Sequence, residues 1–432
     1  MYMDENIKKR KIGLALSGGG YRAAAYHIGT LRALNRLRIL EDIDVISSVS
    51  GGSITAAYYA LNKDDFNLFE KSFISKLKKG VLCTSIINLL IVVLIVAIIG
   101  YSMNGWFALL SSLIVLFLQY KVLPFSFFIE KSYDRLFFQK KKLQELPSHP
   151  LIAINSTDVT TGTLFTFSKE KMSGYKYRDV NNGNPFNNKE FPISKAVMAS
   201  SCVPFAFSPI KISSKYYVSE IKDDIYPLLI DGGLYDNQGA HKLGEKNSIY
   251  HTQINIVSDA GNSEINSKYA VNTLMMLIKT SGIMMNRIRT FQSRNNMFMG
   301  IKDDIRYVYL GLLWDVNDRP VRSFLRNIVE GNIAQELCDY HKIDSRDIDA
   351  LKSSDKKVRE YKEKELVDKL KNNISWSELE KIMPSAEEHN IAKKVGTNLT
   401  GLNDKKINAL IKHSNWLTEV QIRLYMPYLL TK

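Results

Sequence analysis

The chain has 432 residues, enough to bury one large core or two smaller ones, and its 45% hydrophobic content excludes an intrinsically disordered protein. A formal charge of +14 suits an anionic partner, either a nucleic acid or an anionic membrane surface. The sequence lacks zinc-finger spacing, RNA-binding signatures and dense arginine tracts, but it contains a long apolar segment. We therefore expect a membrane, and no nucleic acid, as the partner.

The cysteines and the N-terminus indicate a reducing compartment. Cys83, Cys202 and Cys338 are odd in number and far apart, which favours neither a disulfide framework nor a zinc site. The first eleven residues are partly basic but lack the apolar stretch and cleavage site of a secretory signal. We expect a cytoplasmic catalytic region without a bound metal.

Two strand-turn-helix units follow one another near the start of the chain. An apolar run at 12–16 ends in a serine and three glycines, and apolar residues then recur at helical spacing over 21–40. A second run at 45–49 is followed by a tight turn and an alanine-rich helix at 54–61. Such units in series predict an α/β fold with a parallel sheet. Further strands are expected at 151–154, 163–167, 225–230 and 254–257.

The region 80–120 contains no charged residue. Its first part, 81–100, is long enough for a helix to cross a bilayer, and a shorter apolar span at 106–120 follows a turn-rich stretch. Lysines and arginines flank both ends, which predicts that both ends are cytoplasmic. We expect a membrane-embedded or membrane-spanning helical hairpin, with a buried core hairpin as the alternative.

The sequence becomes richer in charged residues from about position 344 and has helical character. We expect these helices to pack on the core with a solvated charged face. The predicted organisation therefore has four parts, which are a first catalytic segment at 11–79, the hairpin at 80–123, a second catalytic segment at 124–343 and a helical region at 344–432.

A serine lies on the predicted turn after the second strand. A serine hydroxyl becomes an effective nucleophile on a sharp strand-to-helix turn that brings its oxygen close to a base. Ser50 has this position, and Gly52 fits the downstream glycine of the pattern G-x-S-x-G. Ser48 replaces the upstream glycine. An ordinary turn without catalytic function is the alternative interpretation.

Three consecutive glycines, Gly18, Gly19 and Gly20, precede the first helix. Their N–H groups and the positive end of the helix dipole converge where an anion can be held. Gly18, Gly20 and Ala23 also match the dinucleotide-binding pattern G-x-G-x-x-G/A. The second strand argues against a dinucleotide, because it ends at Ser50 instead of the acidic residue that would bind the ribose.

Asp231 follows an apolar run and precedes two glycines, so it is either a turn-forming residue or a carboxylate base at a strand end. None of the seven histidines lies in a recognisable catalytic motif. His241 follows Ser50 and Asp231 in the chain order of α/β-hydrolase triads and is the alternative base, whereas we expect His27 to be a packed or surface residue. A partly buried Asp231 with a raised pKa would accept the serine proton directly.

Four sequence blocks, in order and at plausible spacing, resemble the patatin-like phospholipases. They are LALSGGGYRAAAYHIGTLRAL, ISSVSGGSITAAYYA, KAVMASSCVPFAFSPI and LLIDGGLYDNQG. The resemblance covers most of the chain except the uncharged region. Typical soluble members of the family lack that insertion.

The resemblance implies a three-layer α/β/α fold with a mostly parallel sheet and a catalytic dyad of Ser50 as nucleophile and Asp231 as general base. It also implies an oxyanion hole formed by backbone N–H groups. The residues expected to supply them are Gly18, Gly19, Gly20 and Gly51. Arg22 has the position at which the family's glycine loop usually carries an arginine, where it would brace the loop or bind an anionic head group. No cofactor is implied.

These features predict a membrane-associated lipid acyl hydrolase of phospholipase A or lysophospholipase type. Its substrate would be a phospholipid or another acyl lipid of the membrane, reached from the cytoplasmic side. Two alternatives remain. The first is a membrane-anchored protein that binds an NAD-type nucleotide through the loop Gly18 to Gly20. The second is a membrane scaffold whose hydrolase domain is catalytically idle. The oligomeric state is not indicated.

Overall fold

The computed structural model describes residues 10–82, 125–179, 181–204, 206–221, 225–261 and 272–430, together with a few single positions between 85 and 106. Its strands are β1 (Ile12–Leu16), β2 (Ile43–Val49), β3 (Leu151–Asp158), β4 (Thr163–Phe167), β5 (Met172–Gly174), β6 (Ile210–Lys211), β7 (Leu228–Asp231), β8 (Ile254–Asp259) and β9 (Arg306–Gly311).

The helices of the first two thirds of the chain are α1 (Gly20–Arg36), α2 (Gly51–Leu61), α3 (Phe66–Leu77), α4 (Phe125–Tyr133), α5 (Ile193–Ser200), α6 (Gly233–Asp236), α7 (His241–Gly244) and α8 (Thr273–Lys302). The later helices are α9 (Arg319–Val329), α10 (Gln335–Tyr340), α11 (Ser345–Leu351), α12 (Lys356–Asn373), α13 (Trp376–Ile382), α14 (Ala386–Lys393) and α15 (Asp404–Tyr425).

The strands form one sheet whose main path is β5-β4-β3-β2-β1-β8-β9. The five strands from β3 to β9 on this path are parallel to their neighbours, whereas β4 and β5 are antiparallel. Off the path, β7 runs antiparallel to both β3 and β6. The predicted α/β fold with a mostly parallel central sheet is confirmed.

Both faces of the sheet are covered, which explains why its central strands are apolar along their whole length. Leu14 and Leu16 of β1 face the larger core, whereas Ala15 between them faces a smaller one that also contains Leu243 of α7. The C-terminal helix α15 crosses α1 closely. A Cβ atom on Gly29 would lie 2.1 Å from the carbonyl oxygen of Ile411, so this crossing requires glycine.

Strand register determines which side chains meet at the carboxyl edge of the sheet. Val49 at the end of β2 pairs with Asn155 of β3. The next residue of β3, Ser156, pairs with Asp231 at the end of the antiparallel strand β7. The residue after β2 and the last residue of β7 are therefore brought to the same place, although they are far apart in sequence.

None of the helices in the described part of the chain is both long and apolar enough to cross a membrane. The hairpin predicted at 80–123 lies for the most part outside the described residues, so it stays a prediction. Cys202 and Cys338 are buried free thiols, and Cys83 lies outside the described residues.

Candidate active site

The turn between β2 and α2 holds Ser50 in a strained conformation. Its φ of 51° and ψ of −119° are unusual for a residue with a side chain, and such strain persists only where the surrounding structure enforces it. The crossing beneath the turn is tight, because a Cβ atom on Gly52 would lie 2.2 Å from the carbonyl oxygen of Leu16. Only glycine fits at position 52, as the elbow pattern requires.

Ser48, which replaces the upstream glycine of the elbow pattern, is accommodated without loss of hydrogen bonds. Its hydroxyl donates to the carbonyl oxygen of Ala153 at 3.2 Å and accepts from the hydroxyl of Ser53 at 3.1 Å. The upstream side chain therefore lies between β2 and its neighbours as part of a buried polar network. The elbow keeps its sharp turn with a serine at this position.

Ser200, at the end of α5, fixes the elbow from the other side. Its hydroxyl accepts the N–H of Ser50 at 2.9 Å and donates to the carbonyl oxygen of Asn155 at 2.6 Å. The sequence block that contains Ser200 gives no role for this residue. A serine four residues before a proline carries no recognisable signal of its own.

Asp231 lies beside Ser50 at the carboxyl edge of the sheet. Both residues are buried, with 5% and 6% of their surfaces exposed. The Ser50 side chain lies close enough to the Asp231 carboxylate to stabilise its charged form, and the N–H of Gly233 donates to the Oδ1 atom of Asp231 at 2.7 Å. Burial raises the pKa of Asp231 to about 6, although the Gly233 N–H and the Ser50 side chain oppose the rise. The carboxylate is thus a stronger base than an exposed aspartate.

The histidines with a described hydrogen bond are engaged away from this pair. His27 is fully buried between Ser258, 2.8 Å away, and the carbonyl oxygen of Ser17, 3.0 Å away. Burial lowers its pKa to about 4. His241 packs its ring against Tyr235 on the surface, and no described contact joins it to Ser50 or Asp231. The geometry favours the aspartate over a histidine as the base.

The glycine loop meets the elbow directly. A Cβ atom on Gly51 would lie 2.1 Å from the carbonyl oxygen of Gly20, so the starts of α1 and α2 are in backbone contact. Gly19 and Gly20 have φ values of 142° and 59°, which favour glycine. None of the hydrogen bonds found among the described residues uses the N–H of Gly19, Gly20 or Gly51.

Gly18 departs from the expectation that it supplies an oxyanion-hole donor. Its N–H already donates to the carbonyl oxygen of Asn237 at 2.9 Å, because the segment after Asp231 folds back against the loop. The Asn237 side chain also faces the site, with its Oδ1 atom 2.4 Å from where a Gly18 Cβ would lie and 2.7 Å from that of Gly233. Sequence reasoning missed Asn237, although it stands inside the block LLIDGGLYDNQG.

Arg22 is buried and braces the glycine loop. Its guanidinium donates to the carbonyl oxygens of Ala260, at 3.0 Å, and Val395, at 3.3 Å. Burial lowers its pKa to about 10, and Asp259 nearby opposes that change. These contacts hold the loop against the end of β8 and favour the bracing role over head-group binding.

A cavity of about 750 Å³ lies between the strands β8 and β9 and the helices α8, α9 and α15. Asp259, Arg289 and Trp314 are among its lining residues, whereas neither Ser50 nor Asp231 is. In the described residues we find no cluster of histidine, cysteine, aspartate and glutamate that could hold a metal ion. The groups that the described residues bring to the elbow are the serine hydroxyl, the aspartate carboxylate and the backbone N–H groups around them.

Comparison with known proteins identifies the family. A model of the patatin-like phospholipases matches residues 14–243, which include the glycine loop, the elbow and Asp231. The chain belongs to the patatin-like phospholipase family. No curated protein matches the sequence significantly.

Three solved structures illustrate how distant the structural similarities are. Human GIVD cytosolic phospholipase A2 is 12% identical, with a TM-score of 0.48, and the match covers 99% of this chain and 60% of that one. The same enzyme in complex with methyl gamma-linolenyl fluorophosphonate is 11% identical, with a TM-score of 0.49 and coverage of 100% and 60%. VipD from Legionella pneumophila is 13% identical, with a TM-score of 0.31 and coverage of 95% and 92%. The chain thus spans about 60% of the length of the human enzyme.

Proposed function

We propose that the chain is a lipid acyl hydrolase that cleaves ester-linked fatty acids through a dyad of Ser50 and Asp231. The observation that carries the proposal is the proximity of a strained, buried serine to a buried carboxylate whose pKa is raised to about 6. Membership of the patatin-like phospholipase family supports a lipid substrate.

In the first half of the reaction, the Asp231 carboxylate accepts the proton of the Ser50 hydroxyl while Oγ attacks the carbonyl carbon of the ester. The tetrahedral intermediate collapses, the alcohol leaves with the proton that Asp231 returns, and the fatty acid remains esterified to Ser50. In the second half, Asp231 takes a proton from water, which attacks the acyl ester. The fatty acid leaves, and the proton returns to Ser50.

The negative charge of both intermediates requires donors that are already in place. The N–H groups of Gly19, Gly20 and Gly51 make no hydrogen bond among the described residues, and each residue stands at the cap or the first position of α1 or α2. Helix starts favour an anion because their first N–H groups have no partner within the helix. We assign the oxyanion hole to these three residues and leave Gly18 out, because its N–H is engaged.

We place the enzyme at the cytoplasmic face of a membrane. The formal charge of +14 favours an anionic leaflet, and the uncharged region 80–120 would keep the site close to its substrate if it forms the predicted hairpin. Within the class of acyl lipids, membership of the patatin-like phospholipase family supports a phospholipid substrate.

The nucleotide-binding alternative has less support. A Cβ atom on Gly20 would lie 2.4 Å from the carbonyl oxygen of Asn398, and the N–H of Tyr21 donates to that same oxygen at 2.9 Å. The peptide of Asn398 therefore occupies the side of the loop that a pyrophosphate would need to approach.

The experiment that tests the proposal measures fatty-acid release from phospholipid vesicles by the full chain and by Ser50→Ala. We expect Ser50→Ala to lower the release rate about a thousandfold or more. Ser72→Ala is the matched control, because it removes a half-buried hydroxyl on α3 whose hydrogen bonds, within the described residues, are to Tyr58 and Phe69. This control should keep the parent rate.

A reactive fluorophosphonate provides a second readout, which is independent of vesicles. Mass spectrometry should find the phosphonyl adduct on Ser50 of the parent chain. Release by Ser50→Ala at the parent rate would disprove the dyad. The scaffold alternative would be supported by a different outcome. In that case the parent chain would neither hydrolyse lipid nor react with the probe, and Ser50→Ala would keep the parent's biological activity.

A further inference from the structure

The long helix α8 exposes its apolar side chains instead of burying them. Eight large apolar residues on it have between 36% and 71% of their surfaces exposed. They are Met275, Met276, Leu277, Ile278, Ile283, Met284, Ile288 and Phe291. Single exposed apolar residues are normal, but a cluster of this size on one helix marks an interaction surface.

Three polar residues in the second half of the same helix point inward. Ser293 lies 3.0 Å from the side-chain nitrogen of Gln238, and Asn296 donates to the hydroxyl of Tyr309 at 3.1 Å. Arg289 lies 3.7 Å from the carboxylate of Asp259. These contacts fix the rotation of the helix. Large apolar side chains such as Ile283 and Phe291 are exposed on the opposite side, whereas an ordinary surface helix turns its apolar side to the core.

The charge of α8 indicates what the exposed surface binds. The helix carries five basic residues and no aspartate or glutamate. The basic residues are Lys279, Arg287, Arg289, Arg294 and Lys302. Arg287 and Arg294 are exposed and seven residues apart, so they lie on one face, with Phe291 between them in sequence. Apolar side chains beside arginines suit the interface of an anionic bilayer, where arginines reach the phosphates.

The position of α8 relates this surface to the site. The Cε atom of Met285 lies 2.9 Å from where a Cβ atom on Gly233 would be, and the N–H of Gly233 donates to Asp231. The inner side of the helix thus touches the turn that carries the proposed base. Its outer side, directly opposite, faces solvent.

We propose that the outward face of α8, formed by Ile283, Met284, Arg287, Ile288, Phe291 and Arg294, binds the surface of an anionic bilayer. The proposal rests on the proposed function, because docking through α8 would bring the bilayer close to the site that cleaves its lipids. The apolar side chains enter the boundary between head groups and acyl chains, and the arginines bind lipid phosphates. A second copy of the chain is a poor occupant, since two such faces would bring like charges together.

The test places an environment-sensitive fluorophore on a single introduced cysteine. The background is Ser50→Ala, which preserves the vesicles, with Cys83→Ser, because Cys202 and Cys338 are buried. The labelled positions are Ile283→Cys and Phe291→Cys, which are 69% and 71% exposed in the parent. Leu68→Cys on α3 and Tyr361→Cys on α12 are matched controls, at 61% and 73% exposure.

Vesicles of phosphatidylcholine and phosphatidylglycerol should shift the emission at positions 283 and 291 to the blue. Nitroxide groups on the lipid acyl chains should quench it there and not at 68 or 361. The fluorophores report their own surroundings, so membrane contact made elsewhere in the chain does not produce this pattern.

The charge contribution has its own variant pair. Arg287→Gln with Arg294→Gln should weaken the response to these vesicles about tenfold or more, since each basic residue near an anionic surface contributes to binding. Arg346→Gln with Arg359→Gln, on α11 and α12, removes the same charge elsewhere and should change the response by less than about twofold.

Equal responses at all four labelled positions would overturn the docking surface. If the parent chain still released fatty acid from the same vesicles, the proposed function would stand without it. Quenching at 283 and 291 with no hydrolysis by the parent would leave the docking surface and remove the proposed function. A blue shift that needs no lipid and grows with protein concentration would show that a second copy occupies the face.

Discussion

The elbow at Ser50 and the helix α8 follow strands β2 and β8, the two neighbours of β1, yet they are built in opposite ways. At the elbow, the main chain of Ser50 is held by Ser200, and the adjacent glycines are in backbone contact with neighbouring turns. Along α8, Ser293 is turned inward, whereas large apolar groups such as Phe291 face solvent. Proton transfer needs atoms held in place, whereas contact with a lipid surface needs apolar area that the fold leaves uncovered.

The largest expected effect is on the rate of hydrolysis, and it comes from a variant of Asp231 that should keep the fold. Asp231→Asn should lower fatty-acid release about a thousandfold or more, because the amide cannot accept the Ser50 proton. The Asn oxygen can still accept the N–H of Gly233, so the fold should persist. The measurement is the release rate from phospholipid vesicles at pH 7, with circular dichroism as the check of folding. Release within about tenfold of the parent rate would assign the base elsewhere.

The same variant should be more stable than the parent at neutral pH. The folded-state pKa of Asp231 is about 6, above its usual value, so the folded state binds a proton more tightly than the unfolded state. Its contribution to stability is therefore largest at low pH and falls as the pH rises through about 6. At pH 7, replacing the ionised carboxylate should raise the free energy of unfolding by up to about 3 kcal/mol. Unfolding in urea at pH 7 and pH 4 checks this sign.

A glycine substitution at the elbow should lower both the stability of the fold and the rate of hydrolysis. Gly51→Ala places a Cβ atom 2.1 Å from the carbonyl oxygen of Gly20, where only backbone can move aside. We expect a loss of about 2 to 4 kcal/mol in the free energy of unfolding, together with lower hydrolysis. Denaturant unfolding with parallel activity measurements would check both. An unfolding midpoint equal to that of the parent would show that the starts of α1 and α2 leave room for a Cβ atom at position 51.

The pH dependence of hydrolysis follows from the same carboxylate. Asp231 acts as a base only when ionised, so release should fall about tenfold per pH unit below about 6 and level off above it. His241→Gln should leave the profile unchanged, because no described contact joins this histidine to the dyad. An inflection that disappears in His241→Gln would support the triad alternative.

The elbow was predictable from sequence because its residue types follow from local geometry. Gly52 is required by the close crossing at the turn, Ser50 stands at the nucleophile position of the elbow pattern, and a parallel sheet follows from two strand-turn-helix units. Ser200 and Asn237 were not predictable, because their contacts with the elbow and the glycine loop depend on strand register and chain reversal. The engaged N–H of Gly18 has the same origin, since its partner lies in the segment after Asp231.

The sequence signal at α8 was weak for a different physical reason. Its apolar residues occur in pairs and runs, such as Met275 to Ile278, and do not form a single stripe of helical period. Only the packed structure shows that Ser293 and Asn296 occupy the inward side and that Phe291 is outward. Burial cannot be inferred from hydrophobicity where a surface is kept apolar for binding.

The smallest expected effect comes from a glycine-to-alanine substitution in α8, the counterpart of Gly51→Ala at the elbow. Gly282→Ala in α8 meets no atom within 4 Å, and Gly282 lies within a helix, where alanine is favoured over glycine. We expect it to raise the free energy of unfolding by about 0.5 to 1 kcal/mol, opposite in sign to Gly51→Ala. Denaturant unfolding of both variants under the same conditions makes the comparison. A loss of stability in Gly282→Ala would mean that α8 packs against other parts of the chain at that position, and its face would then be a buried surface and not a free one.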